Sequence, residues 1–377
     1  EKKMGMEGSS TVPLYFTDCK VPVENLLGEV GEGAGPAFCA LNIGRFKLGA
    51  SAIGGMALGM DHAVDYAKNR KAFGQNISDF SSIQDKLATC AILTYTLEST
   101  CYSVIGEQTE AINKLDKDDP KFYVKQGDIT EKYIAENSIV KVYGSEAAEQ
   151  VIDNCFQIYG GYGFIEEYPM AQAYRDNRIN KIWEGTNEIN RMLCGRAMIT
   201  KSLSGELSLK DYLEKVDSYC LDDKDSGYNG HLKDEVECIE AAKAVYALAL
   251  NESLSKYGQD IGIEQVVMEN LADILIYCYV GDSTLTRVLQ NTEYYNDTNQ
   301  IVPELCAMVY TAENGVKVIE NANKIFNRIF DGDIPVELVN KLKVLNKRLS
   351  LKTDTIGLKK IIGERVVEAG GYPVKSF

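Results

Sequence analysis

The stretch NKIWEGTNEINR, which begins at Asn180, holds the only tryptophan of the chain, followed at once by a glutamate, a glycine and a threonine. A carboxylate between an indole and a glycine has two readings. One is a loop glutamate at a helix start, where negative charge is favoured anyway. The other is a general base held in an apolar pocket: Glu184 would take a proton and Gly185 would let a substrate approach the backbone. The Glu184 amide would then donate to a substrate carbonyl. Three further segments carry paired readings of the same kind. LNIGRF sets Arg45 one turn after Asn42 on the same helix face, as a surface or acid-paired arginine or as a ligand contact. NRKAFG sets Arg70 near a helix end, followed by Phe73 and Gly74. That arginine either supports a helix C-terminus or forks onto a pyrophosphate while the ring packs on the ligand. QIYGGYGF sets Gln157 before Gly160, Gly161 and Gly163, either as a glycine helix stop or as a place where a ligand nears the backbone. No strand precedes it, so a dinucleotide fingerprint of the strand–glycine–helix type is excluded.

These residues need elements to hold them. The small-residue helix from about Pro36 to Asn69, with its ASAIGGMALGM run, carries Arg45 and leads to Arg70. So many glycines and alanines in a helix imply close approach to another helix or to a ligand, because each such glycine costs stability. SDFSSIQDKLA restarts a helix that runs to about Asn113, and Ser81 with Gln84 fits a capping box. The charged loop LDKDDPK follows, then a helix from about Gly127 to Ser145 that continues to Tyr159, where GGYG ends it. Pro169 suits a first helical turn, and Thr186 suits a cap for a helix to about Leu203. VPLYFTDCKVP, near the start, reads as a strand bounded by Pro13 and Pro22. Beyond SLSGELS come amphipathic helices with acidic polar faces and no reactive constellation.

Composition narrows the function. The chain has 377 residues, 45% hydrophobic and 25% charged, enough for more than one domain with ample core. Its formal net charge of −15 argues against nucleic acid or an anionic membrane as a partner. The ten cysteines form no C-x-x-C pair and there are two histidines, so no metal ligand set is expected. Scattered cysteines in an acidic chain look like reduced, mostly buried thiols.

Together LNIGRF, NRKAFG, SIQDKLA, QIYGGYGF and WEGTNEINR occur in the order and approximate spacing of the acyl-CoA dehydrogenase family. The chain resembles that family over roughly residues 1–200. The added helices and the LN-x-GRF and EGTNEI forms look most like its very-long-chain branch. The resemblance implies a mainly α fold. A four-helix bundle, the family's C-terminal domain, would span residues 31–203 and an additional helical domain 204–377. Residues 1–30 would be a short β remnant, the end of a middle β-domain. The family's N-terminal helical domain and most of that middle domain would lie outside this sequence.

For function, the resemblance makes Glu184 the catalytic base. It would take the pro-R α-proton of an acyl-CoA thioester while hydride passes from the β-carbon to N5 of FAD. The product is a trans-2-enoyl-CoA, and electrons go to an electron-transfer flavoprotein, as in fatty-acid β-oxidation. Some branches place the base just before the arginine equivalent to Arg45, where this chain has Gly44. Arg45, helped by Asn42, would bind near the thioester end of the substrate; Trp183 would wall the pocket beside Gly185. Arg70 and Phe73 would contact FAD bound mainly to a neighbouring subunit, with Gln157, Gly160 and Gly161 on its adenosine half. Thr186 and Glu188 would contact the chain's own FAD. The chain departs from many relatives at Ser81, where they carry glutamine, and from some at Glu188. A homodimer is expected, with a tetramer as the alternative, and a bacterial cytoplasm, with a mitochondrial matrix as the alternative. Two other readings remain: a helical assembly module without turnover, and an acyl-CoA oxidase.

Overall fold

The computed structural model describes residues 1–221, 227–298 and 300–374. Four helices make the first layer. Helix α1 (Ala34–Asn69) packs along α4 (Ile134–Tyr159); α2 (Ser81–Asn113) and α6 (Asn187–Leu203) flank α4. The small residues of α1 are explained where the helices cross. Gly49 and Gly144 face each other so closely that a Cβ on Gly144 would lie 2.8 Å from the Gly49 Cα. Gly59 meets the Ile152 side chain of α4 in the same way. Of the other α1 glycines, Gly44 faces the Glu184 side chain, and Gly35, Gly54 and Gly55 face open space.

Between α1 and α2 the chain makes a hairpin of two short strands, β1 (Lys71–Ala72) and β2 (Gln75–Asn76). Its two-residue turn has positive φ at both Phe73 (52°) and Gly74 (90°), the pattern of a type I′ turn. Helix α3 (Phe122–Lys132) is separated from α4 at Tyr133, so the single helix expected from Gly127 is two. Helix α4 stops at Gly160, which has φ +57°, and a 3-10 turn (Gly160–Phe164) leads to α5 (Pro169–Asn177).

The second layer contains α7 (Leu209–Leu221), α8 (Lys233–Tyr257), α9 (Gln265–Gln290), α10 (Thr292–Asp297), α11 (Val302–Ile329), α12 (Val336–Leu349) and α13 (Thr355–Ala369). It shares a core with the first. One continuous buried cluster joins Met56, Tyr95 and Val140 to Ile276, Tyr310 and Ile362, because α9, α11 and α13 all pack on α2. A second cluster lies among α7, α8, α9, α11 and α12. A buried ion pair clamps the layers: Arg287 of α9 donates to Glu98 of α2 at 2.9 Å, Tyr372 adds a hydrogen bond at 3.1 Å, and the guanidinium stacks on Tyr95. All ten cysteines are free, and eight are buried. Among the described residues, no helix is long and apolar enough to cross a membrane.

Two expectations need correction. Residues 1–30 contain no strand; a 3-10 turn at Val23–Asn25 is their one regular element, and Leu14, Tyr15 and Phe16 are exposed. Strand-forming residues make a strand only where a neighbouring ladder takes up their backbone groups, and this segment has none beside it. Ser81 does not cap α2. Phe80 holds the N-cap position, and the Gln84 amide donates instead to the Ser78 carbonyl at 3.1 Å.

Candidate active site

The loop that carries Glu184 is held in an unusual backbone shape. After the 3-10 turn Arg178–Lys181, Glu184 adopts φ +58° and Gly185 φ +84° before Thr186 caps α6 by accepting from the Ile189 amide. A left-handed glutamate costs about 1–2 kcal/mol, so the surroundings must impose it. Donors from three helices do so. Arg45 of α1 donates through Nε to the Glu184 carbonyl at 3.3 Å. Lys141 of α4 donates to the Gly185 carbonyl at 2.7 Å. Asn190 of α6 donates to the carbonyls of Gly185 and Thr186 at 2.9 and 3.0 Å.

This turn aims the Glu184 carboxylate at Gly44, a position on α1 without a side chain. A Cβ on Gly44 would sit 2.5 Å from Oε2 and 2.7 Å from Cδ. Oε2 is buried and has no hydrogen-bond partner. A carboxylate oxygen removed from water and left without a donor has a vacancy for a proton. Beside it, burial pulls the Arg45 guanidinium below its ordinary value, and the Glu184 and Cys194 charges partly offset that.

Two expected substrate contacts are placed differently. Asn42 is buried and turned toward α3, donating to the Thr130 carbonyl at 2.6 Å, so it joins two helices rather than supporting Arg45. Trp183 stands at the rim, 40% exposed, with its indole N–H on Asn180 Oδ1 at 3.1 Å; it closes no pocket by itself.

Sequence reasoning missed Lys141, Asn187 and Asn190. Lys141 has no exposed surface, yet Nζ meets the Gly185 carbonyl and Asn187 Oδ1, both at 2.7 Å. Burial lowers its pKa to about 8, against the pull of Glu146, Glu188 and Glu184 and with the push of Arg45. One signal was available: Lys141 is the single charge in the otherwise buried run from Asn137 to Ser145.

The expected flavin contacts separate into two groups. Arg70, Gly160 and Gly161 line one open groove of about 540 Å³ together with Tyr66, Tyr159 and Tyr162. Tyr66 stacks on Tyr159 at 4.2 Å, and the Arg70 guanidinium lies 5.6 Å over the Tyr162 ring. A Cβ on Gly160 or Gly161 would meet nothing within 4 Å, so the groove is open above them. Gln157 is exposed on the last turn of α4, outside that lining. Phe73 projects from the hairpin tip, 99% exposed, with one edge-on neighbour in Phe80. Thr186 and Glu188 lie instead beside Glu184, and the Glu188 carboxyl is held below its usual range by its own amide and the Thr186 hydroxyl. Arg45 lies on α1 and Arg70 is its C-cap residue, so the rise of 25 residues separates them along the helix by about 37 Å.

The comparisons bear on this arrangement. Residues 31–199 match a family model described as acyl-CoA dehydrogenase, C-terminal domain, and residues 241–344 match a second model with that description. The chain belongs to the acyl-CoA dehydrogenase family. A probable acyl-CoA dehydrogenase of Bacillus subtilis (strain 168) is 38% identical over 289 residues, 76% of this chain and 48% of that protein. The mitochondrial very long-chain specific acyl-CoA dehydrogenase of Bos taurus is 34% identical over 340 residues, 85% of this chain and 49% of that protein. The crystal structure of an acyl-CoA dehydrogenase complexed with FAD from Bacillus anthracis superposes with a TM-score of 0.92 at 33% identity. That match covers 99% of this chain and 63% of that one. The chain spans about half the length of the curated acyl-CoA dehydrogenases it matches.

Proposed function

We propose that this chain carries the catalytic base and part of the flavin-binding surface of an FAD-dependent acyl-CoA dehydrogenase. The reaction would convert an acyl-CoA thioester to a trans-2-enoyl-CoA and pass the electrons to an electron-transfer flavoprotein. The observation that carries this reading is the Glu184 carboxylate, with Oε2 buried and without a donor over Gly44, on a loop fixed by three donors. Glu184 takes the α-proton of the substrate. Its own backbone amide donates to the thioester carbonyl as negative charge develops there. A positioned base of this kind contributes about 10²–10⁴-fold. Arg45 holds the loop from below, so the base stays aimed through the transfer.

The residues present fit FAD. The groove offers glycines that admit a ligand to the backbone, stacked tyrosines at its side, and an exposed arginine for a phosphate. When bound, FAD supplies the acceptor for the hydride that leaves the β-carbon. The distance along α1 supports a shared cofactor. Arg70, Phe73, Gln157, Gly160 and Gly161 would serve the flavin of a second copy, while Thr186 and Glu188 serve the chain's own. The assembly is therefore a homodimer or a pair of such dimers, and we assign it to a bacterial cytoplasm.

The test is an absorbance spectrum of the holoenzyme that contains this chain. The flavin band should bleach on anaerobic addition of an acyl-CoA and recover with electron-transfer flavoprotein. A band indifferent to every acyl-CoA would overturn the reading, and reoxidation by oxygen alone at the turnover rate would make the protein an oxidase.

A further inference from the structure

An unbroken line of hydrogen bonds runs from the second layer of helices to the loop that holds Glu184. Asp273 of α9 accepts from Arg191 Nε at 2.7 Å. The two terminal nitrogens of Arg191 fork onto Glu146 of α4 at 2.8 and 3.0 Å. Glu146 Oε1 accepts from the Asn187 amide at 3.0 Å. Asn187 Oδ1 accepts from Lys141 at 2.7 Å, and Lys141 reaches the Gly185 carbonyl at 2.7 Å. Asn187 and Lys141 are buried and the Arg191 side chain is mostly so, while Glu146 and Asp273 are partly exposed.

We propose that Asp273 is a positioning residue for the Glu184 loop, acting through Arg191, Glu146, Asn187 and Lys141. The additional helices would thereby hold the candidate base in place, which gives them a role in catalysis as well as in packing. The inference rests on the reading of Glu184 as the base.

The geometry is directional. Arg191 presents three N–H groups to two carboxylates, so its plane is fixed from two sides. That plane sets Glu146, and Glu146, together with the Ser145 hydroxyl, holds the Asn187 amide with its oxygen toward Lys141. An Asn187 turned the other way would offer N–H groups to an ammonium, two donors facing each other. Lys141, which has no exposed surface, would then lose an acceptor and shift, and the Gly185 carbonyl would keep only its Asn190 donor in place. The Lys141 contact is one of the three donors that hold the left-handed Glu184–Gly185 pair. Contacts that belong to one network are coupled, and loss at one end is felt at the other.

The test combines two readouts. Amide hydrogen exchange of residues 182–190 is followed in the 377-residue chain for Asp273→Asn, Asp273→Ala and Lys141→Met. Asp282→Asn is the control, since it removes an exposed α9 partner of Lys243 outside the line. The expected result is faster exchange of the loop in the Asp273 and Lys141 variants and none in the control. In the holoenzyme, Asp273→Asn should lower kcat about tenfold with KM little changed, because a misplaced base costs rate more than binding. Adding Lys141→Met to Asp273→Asn should cost less than the two single losses combined, as contacts in one network do. Loop exchange at the parent rate in a folded Asp273→Asn chain would overturn the proposal and leave Glu184 untouched. So would additive losses. Should Glu184→Gln keep full activity while the exchange pattern holds, the base reading fails and the line of contacts stands.

Discussion

Gly44 and Lys141 show how single residues prepare the site. Gly44→Ala would place a methyl 2.5 Å from Glu184 Oε2, the free end of a flexible side chain. The carboxylate can swing away, so stability should hardly change. The base would be displaced, and a shift of about 1 Å can cost about 10²-fold in rate. The predicted outcome is a near-parental melting temperature with kcat reduced at least about tenfold; unchanged kcat would show that the carboxylate does not work over Gly44. Lys141 carries a pH signature. Its pKa is lowered by burial from 10.5 to about 8, so between those values the unfolded chain holds a proton that the folded chain has released. Stability therefore rises with pH across that window, by an amount on the order of 3 kcal/mol, and the full penalty applies below pH 8. Urea unfolding of the chain and of Lys141→Met should show the parent gaining on the variant from pH 8 to 10; a constant difference would contradict the assignment. The neutral amine keeps two N–H groups for its two acceptors, so the loop stays anchored when the proton leaves.

At the scale of elements, much of the layout was readable because the signals were local. The glycine pair at Gly160 stops α4, Pro169 begins α5 and Thr186 caps α6, as composition suggests. The small-residue run of α1 announced a close approach; Gly59 makes one against Ile152 and Gly49, just before the run, makes one against Gly144, while Gly54 and Gly55 face open space. What failed depended on partners. Residues 12–22 have strand chemistry but no neighbouring ladder. The break at Tyr133 carries neither glycine nor proline, so nothing in its sequence marks it. Ser81 looked like a cap because its spacing to Gln84 is right, but Phe80 occupies the capping position and the Gln84 amide bonds to Ser78. The WEGT stretch leaves Glu184 with two readings, and only the family resemblance favours the base, whereas the residues that hold its loop come from α1, α4 and α6 and converge only on folding. The hairpin yields a prediction at this scale. Phe73 has positive φ, which costs about 1 kcal/mol or more for a non-glycine residue, and its ring is exposed. Phe73→Asn suits the type I′ turn. The chain should melt slightly higher, while the holoenzyme should lose flavin more readily on dilution or dialysis. A variant that melts higher and retains all its flavin would remove Phe73 from the cofactor surface.

For the whole molecule, the decisive feature is that α1 keeps its two functional ends apart. If one flavin contacts Glu184 of one copy and Arg70 of another, two damaged copies can repair one another. Holoenzyme with Arg70→Ala and holoenzyme with Glu184→Gln should each be impaired. A hybrid dimer of the two would contain one site with both residues intact. Mixing and reassembling the variants should therefore restore activity above the mean of the parents, and activity that stays at that mean would place Glu184 and Arg70 of the same copy on one flavin.

The most direct test of Glu184 as the base is an anaerobic stopped-flow measurement on Glu184→Gln holoenzyme. Glutamine keeps the size and shape of the side chain and removes its capacity to take a proton. The variant should retain FAD and bind acyl-CoA, and its flavin band should bleach at least about 10²-fold more slowly than the parent's. Bleaching at the parental rate would mean that another group takes the α-proton and that the vacancy at Oε2 has no part in the reaction.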